Sequence, residues 1–480
     1  MNSVRTRTSN WGQLVAAAAR VSARVEGYPL PRMFLAFALP VGVFLVFAQP
    51  PGQGLDESLH FYRVWTLAHG ALVATHSHGT YGGSVPLCVL NYFQEFATKA
   101  AQRGAFSVSQ YWHTPANCGV GRFTPFPGSA VYSPVPYVPA LVGVVPLVAV
   151  HAPLPVIFFA GRLLTLAAYI GVFYLAIRIA PCGRHVLFVL GLLPTSLLLA
   201  SSYSADPITI AFAALSVALT LRCWRAARED RRAVLLLVLS LLVVALGKPT
   251  YAILAFLVFL VPNVALGSWS RPLVVKAVAV GIVLACAALW YLAVRHVEGA
   301  PVPLYDLRPH AQTQFIVHHP LGYLGDLLRT FFFASGEARW LPGFFFSIGY
   351  TRPALADSIY APPGLIVLGS LTLFSAYFLQ FGRRRLVPGP RALIYLPVVL
   401  AAVGVLLVTT TLFIYGTPAG LPEVNVQGRY FYPFVPVPLV TIGALRQSRS
   451  GRRATVWIAA GSLLMLLWLV GKIFVHDYTL

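Results

Sequence analysis

The sequence predicts an all-α polytopic membrane protein, and three observations carry that prediction. Apolar segments of bilayer length recur from Met33 to Phe474. Only 10% of the residues are charged against 58% hydrophobic. The arginines gather in short gaps between the apolar segments, as in "RCWRAAREDRR" at 222–232, "RRR" at 383–385 and "RQSRSGRR" at 446–453. In hydrocarbon only helices and closed barrels satisfy their own backbone hydrogen bonds, and these runs are too long and too uniformly apolar for barrel strands.

Taken in order, residues 1–32 form an N-terminal segment with five arginines and are expected on the cytoplasmic side. No small-residue cleavage site follows the next apolar run, so Met33–Ala48 reads as a retained anchor. Ten further spans are expected at Val156–Ile179, Val186–Ala200, Ile208–Leu221, Ala233–Leu246, Tyr251–Leu266, Ala277–Val294, Leu365–Phe381, Ala392–Tyr415, Phe431–Leu445 and Ala454–Phe474, about eleven in all. Two large loops separate them, 50–155 and 295–364, so the chain divides into 1–32, a membrane module 33–294, the second loop 295–364 and C-terminal helices 365–480. Both loops mix polar and aromatic residues and read as ordered.

The apolar run Val135–Pro155 decides the sidedness. If it stays on the outer side as a juxtamembrane helix, the inner side holds 22 of the 35 lysines and arginines but only 3 of the 14 acids. If it spans, every arginine cluster from residue 222 onward faces outward, against the positive-inside rule. Its prolines at 136, 139, 146 and 153 also suit an interfacial, broken helix. The expected topology is therefore N-terminus cytoplasmic and C-terminus outside, at a plasma membrane. The net charge of +21 is accounted for by this asymmetry, which leaves nothing for a nucleic-acid partner to explain. Of five cysteines only Cys88 and Cys118 fall outside, a disulfide candidate in an oxidising compartment.

Because acids are few and nearly all external, they are the informative residues. In "LDESLHFYR" a helix would align Asp56, His60 and Arg63 at i, i+4 and i+7. Asp56 reads either as a general base or, with Glu57, as the cap of an interfacial helix. Asp206, in "SADPIT", is a helix start or a second carboxylate beside Asp56; the two could hold a divalent ion such as Mg or Mn through oxygen ligands. In "NVQGRYFYPF", Gln427, Arg429 and Tyr430 stand at the membrane edge, where a guanidinium either snorkels or grips a lipid-linked phosphate bidentately. Arg162, Lys248 and, in "GKPTY", Tyr251 lie at the same depth. Arg339, in "EARW", could touch a polar substrate, whereas His69, His76 and His78 read as loop histidines.

The ordered set "DESLHFYR", "YSPVPYVPAL", "AGRLLTL", "LLPTSLLLASSYSAD", "GKPTY" and "QGRYFYPF" resembles the bacterial membrane-protein family named domain of unknown function 2142, itself similar to the GT-C superfamily of glycosyltransferases. The resemblance implies a GT-C-like fold, a polyprenyl-phosphate sugar donor and a glycan, lipid or protein acceptor at the outer face of a bacterial plasma membrane. It assigns the catalytic base to Asp56, with Glu57 beside it, and a second acid to Asp206. From the residues alone two rivals stay open: a lipid-glycan flippase, disfavoured by the apolar mid-span segments, and a glycan polymerase or ligase using a lipid diphosphate.

Overall fold

The structure is a computed structural model that describes residues 28–102, 105–113, 119, 121–267, 269–297, 307–333, 340–348, 361–378, 381–384, 393–418, 420–421, 423–424, 426–448 and 452–478. It is mostly helical. Among the described residues six helices are long and apolar enough to cross a membrane: Leu30–Ala48 (α1), Leu154–Ile179, Asp206–Trp224, Pro272–Val294, Leu396–Gly416, and Ala454–Val475 within the longer helix Arg452–Tyr478. Six of the eleven predicted spans coincide with these.

The other five are helical but shorter or interrupted, for local reasons. Pro194 has no N–H and forces Leu193 out of the helical region (φ −57°, ψ 137°), which splits 186–200 into Arg184–Leu192 and Pro194–Ala200. Arg231–Gly247 is a 17-residue helix that ends before Pro249, and Pro249–Leu260 continues as a 3-10 helix. At a rise of about 2 Å per residue a 3-10 segment reaches further per residue than an α-helix. Pro363–Phe378 and Pro438–Leu445 have 16 and 8 residues.

The run at Val135–Ala149 begins as a 3-10 turn and continues as the helix Val138–Ala149, which lies along Leu154–Ile179. Beyond α1 the chain forms a small extramembrane unit that the sequence patterning does not foretell in detail. Helix α2 (Glu57–Ala68) leads into strands β1 (Thr75–Ser77) and β2 (Thr80–Val85), helix α3 (Leu87–Ala101) and strand β3 (Arg122–Pro125). The strands make one antiparallel sheet in the order β1-β2-β3, with Thr75 opposite Gly82 and Gly83 opposite Thr124. Cys88 in α3 is disulfide-bonded, and Cys118 lies outside the described residues.

An aromatic core joins this unit to the membrane helices. Phe61 of α2 stands edge-on to Phe93 of α3 (5.4 Å), to Phe158 (5.4 Å) and to Tyr203 (4.9 Å). Each such pair contributes about 0.5–1.5 kcal/mol beyond the area it buries. The C-terminal helix returns to the same end of the bundle, where the Tyr478 hydroxyl donates to the Ala48 carbonyl (2.6 Å) and lies 2.6 Å from that of Tyr111. Thus the ends of the first and last helices, the start of Leu154–Ile179 and the start of Asp206–Trp224 all meet beneath the extramembrane unit.

Candidate functional site

At that junction four charged side chains from four separate stretches alternate in sign. Asp56 opens α2 in the left-handed region (φ 57°, ψ 20°), a conformation an aspartate tolerates better than most residues, at a cost of about 1–3 kcal/mol. Its carboxylate makes no capping bond to the helix. It is 52% exposed and accepts from Arg429 Nη2 at 2.8 Å. Arg429 Nε lies 3.4 Å from Asp206 Oδ2, and Lys248 Nζ lies 2.7 Å from Asp206 Oδ1. The order is Asp56, Arg429, Asp206, Lys248.

Local sequence explains how these side chains converge. Arg429 sits on a 3-10 turn, Gly428–Phe431, that passes against the helix Trp340–Phe345. A side chain at Gly428 would run into the Trp340 carbonyl and the Phe344 backbone, so only glycine allows this approach. Gly428→Ala is expected to cost about 1–3 kcal/mol and to displace Arg429 from Asp56; thermal unfolding of the purified variant checks the first and activity the second. Tyr430 floors the cations, with its ring centroid 3.9 Å from Lys248 Nζ and 5.2 Å from Arg429 Cζ. The Tyr251 hydroxyl fixes Tyr430 by donating to its carbonyl at 3.0 Å. Tyr132 and Tyr251 complete an aromatic enclosure, 5.5 and 6.0 Å from the lysine. Gln427, just before the turn, has a buried Oε1 with no hydrogen-bond partner.

Two features distinguish this from a closed salt-bridge network. Arg429 Nη1 is buried and has no hydrogen-bond partner, an energetic debt that an anion would cancel. Its neighbours Lys248 and Tyr430 line a cavity of about 280 Å³, together with Tyr132, Tyr251 and, from Leu396–Gly416, Val408 and Leu412. Burial pushes the Asp56 carboxyl up, but the charge of Arg429 and its hydrogen bond pull it down, so its pKa lies below the ordinary value of 3.8 and the group is an anion at neutral pH.

His60, one helical turn on, is buried, and its Nδ1 lies 2.6 Å from the Tyr137 hydroxyl. Burial lowers its pKa from 6.5 to about 4, although Asp56 and Asp206 pull it upward. The folded protein therefore keeps His60 neutral. As pH falls from 6.5 toward 4 the unfolded chain gains its proton first, so stability drops through that window by about 3 kcal/mol. Thermal unfolding between pH 7 and pH 4 should show the loss, and His60→Gln should flatten it.

The remaining expected residues lie elsewhere. Glu57 and Arg162 are fully buried and meet each other in a two-pronged ion pair, Nε to Oε1 at 2.7 Å and Nη2 to Oε2 at 2.6 Å. The other donors of Arg162 go to the carbonyls of Val46, Gln49 and Pro50. With all five N–H groups committed, Arg162 has none to offer a phosphate, and Glu57 is shut off from any reacting atom. The pair is an internal clamp.

Arg63 is also buried, but it donates to the carbonyls of Ala71, Leu72 and Tyr132 and does not join Asp56. The expected alignment fails because Asp56, in the left-handed region, precedes the helix and leaves its wheel. Asp56 and Asp206 make a poor metal pair, since Arg429 contacts both, and the described residues contain no group of three or more metal-ligating side chains. Arg339 lies outside the described residues. Tyr132 and Tyr137, in the "YSPVPY" stretch, join the site without having been expected there; their signal in the sequence is a tyrosine pair beside prolines.

No curated protein and no solved structure matches the chain. A family model described as "Predicted membrane protein (DUF2142)" matches residues 39–438, a range that contains all four charged residues of the site and the clamp beneath them. The chain belongs to this family of membrane proteins, the domain of unknown function 2142.

Proposed function

We propose that the protein is a membrane glycosyltransferase that moves a sugar from a polyprenyl-phosphate donor to an acceptor hydroxyl. The observation that carries this reading is a half-exposed carboxylate, Asp56, tied to a buried arginine with an unpartnered N–H group, whose neighbours Lys248 and Tyr430 line an aromatic and apolar groove. The groove suits a prenyl chain. Lys248 and Arg429 Nη1 suit its phosphate, since an ammonium and a guanidinium grip phosphate oxygens.

In this mechanism the acceptor O–H attacks the anomeric carbon and passes its proton to the Asp56 carboxylate. The bond from that carbon to the phosphate oxygen breaks, its electron pair stays with the polyprenyl phosphate, and Lys248 and Arg429 stabilise the charge there. A single displacement inverts the anomeric centre. Arg429 also couples the two substrates. When it turns toward a donor phosphate its hold on Asp56 loosens, and the carboxylate becomes a stronger base once the donor is in place.

The same reading places the site at the outer face of a bacterial plasma membrane, in a GT-C-like arrangement of about eleven membrane helices with the N-terminus cytoplasmic and the C-terminus outside. The arginine distribution supports it, as does the meeting of Tyr478 with Ala48 at the site end of the bundle. Membrane lipids then cover the outward faces of the long helices other than Asp206–Trp224, which is buried within the bundle. The test is to incubate purified protein with a panel of radiolabelled polyprenyl-phosphate sugars. Consumption of one donor by the native protein and not by Asp56→Asn is expected; consumption of none, or equal consumption by both, overturns the proposal.

A further inference from the structure

A second and larger cavity, of about 670 Å³, is lined in part by residues that flank Asp56 in the chain. Gln53 precedes that aspartate, and Ser58 and Tyr62 follow it on α2; helix α3 adds Asn91 and Gln94, and strand β3 adds Arg122 at the rim. No residue lines both this cavity and the groove beside Lys248. The two also differ in chemistry. The groove holds an ammonium, five tyrosines, two threonines and aliphatic side chains, whereas the larger cavity sets three side-chain amides, a hydroxyl, a phenol and a guanidinium among leucines, alanines and Phe93, with no carboxylate among its described lining residues.

From this contrast we infer that the larger cavity is a carbohydrate-binding site that holds the acceptor glycan. Amides donate and accept together, so they match sugar hydroxyls, which also do both. Tyr62 and Phe93 supply aromatic surface against which the apolar face of a sugar ring packs. The volume falls within the range of sites that enclose small ligands. Arg122 at the rim fits a sugar that carries a carboxylate. Asp56 lies between the two cavities along the chain: its neighbours Gln53 and Ser58 line one, while Lys248 and Tyr430, around its partner Arg429, line the other. A hydroxyl arriving from the amide side would meet the carboxylate, and a sugar phosphate from the groove side would meet the cations. The inference rests on the transferase reading for the word acceptor, and on the cavity alone for the word carbohydrate.

The experiment uses the full chain in lipid nanodiscs and four fluorescently labelled probes: maltotriose, mannotriose, chitotriose and trigalacturonate. Asn91 and Gln94 are exposed on α3, so Asn91→Ala with Gln94→Ala leaves the core untouched. At least one probe is expected to bind, and the double variant is expected to bind it about tenfold more weakly. Its protection against thermal unfolding by undecaprenyl phosphate should be unchanged. Arg122→Gln should weaken trigalacturonate and spare the neutral probes. Failure of all four probes to bind, or equal binding by native protein and double variant, overturns the inference. Binding that depends on Asn91 and Gln94 without any sugar transfer leaves it standing and removes the transferase reading. Transfer to an acceptor whose affinity ignores both residues does the reverse.

Discussion

Glu57→Gln is expected to destabilise the protein by about 3–5 kcal/mol, the usual cost of removing one member of a buried ion pair. Both side chains of the Glu57–Arg162 pair are wholly buried. The glutamate oxygens accept from Arg162 twice and from the backbone N–H groups of Gly52, Gly54 and Tyr203. Glutamine replaces one oxygen with an NH₂ that faces donors, and it leaves the guanidinium without a counter-charge. The damage extends to the site, because Glu57 ties together the turn that presents Asp56 and, through Tyr203, the turn that precedes Asp206. Thermal unfolding and gel filtration of the solubilised variant measure the effect, and a loss below about 1 kcal/mol would show that the clamp is not structural. The double replacement Glu57→Leu with Arg162→Met should recover much of the loss, since a buried pair exchanged for well-packed apolar groups is often neutral.

That clamp also marks where sequence reasoning stopped. Asp56 and Glu57 are adjacent acids of the same chemistry, and nothing in their order separates the half-exposed carboxylate from the buried one. The separation comes from the backbone: Asp56 sits before the helix in the left-handed region, while Glu57 is its first residue and points into the core. For the same reason the predicted row of Asp56, His60 and Arg63 did not form. Asp206, Lys248 and Arg429 were legible because charge is scarce in an apolar chain and each stood at the same membrane level. Arg162 met the same criterion with a different outcome, since depth does not reveal which partners a guanidinium has already engaged. The broken segment at Pro194 and the 3-10 helix at Pro249 were legible as apolar runs but not as continuous spans. The small sheet was not foreseen, because its strands of three, six and four residues are too short for a period-two pattern to show.

Asp56→Asn is expected to lower the rate of sugar transfer by about 10²–10⁴-fold, the range that a positioned general base contributes. The change is nearly isosteric, and the amide oxygen can still accept from Arg429, so the arginine should stay in place. Because Asp56 is half exposed, its ion pair contributes at most about 1 kcal/mol to stability. The loss should therefore fall on kcat, with donor KM and the unfolding temperature little changed. Asp206→Asn should behave differently: that carboxylate is buried and holds both Lys248 and Arg429, so its loss should weaken donor binding and stability together. The pH profile separates the two roles further. A base must be deprotonated, and in the free protein the Asp56 pKa lies below 3.8, so kcat/KM, which reports the free protein, should not fall with Asp56 protonation until the pH drops below that value. Between pH 6.5 and 4 the decline should instead follow the loss of folded protein linked to His60, and His60→Gln should extend activity toward lower pH. A native profile that falls at neutral pH while the protein stays folded would place the base on another residue.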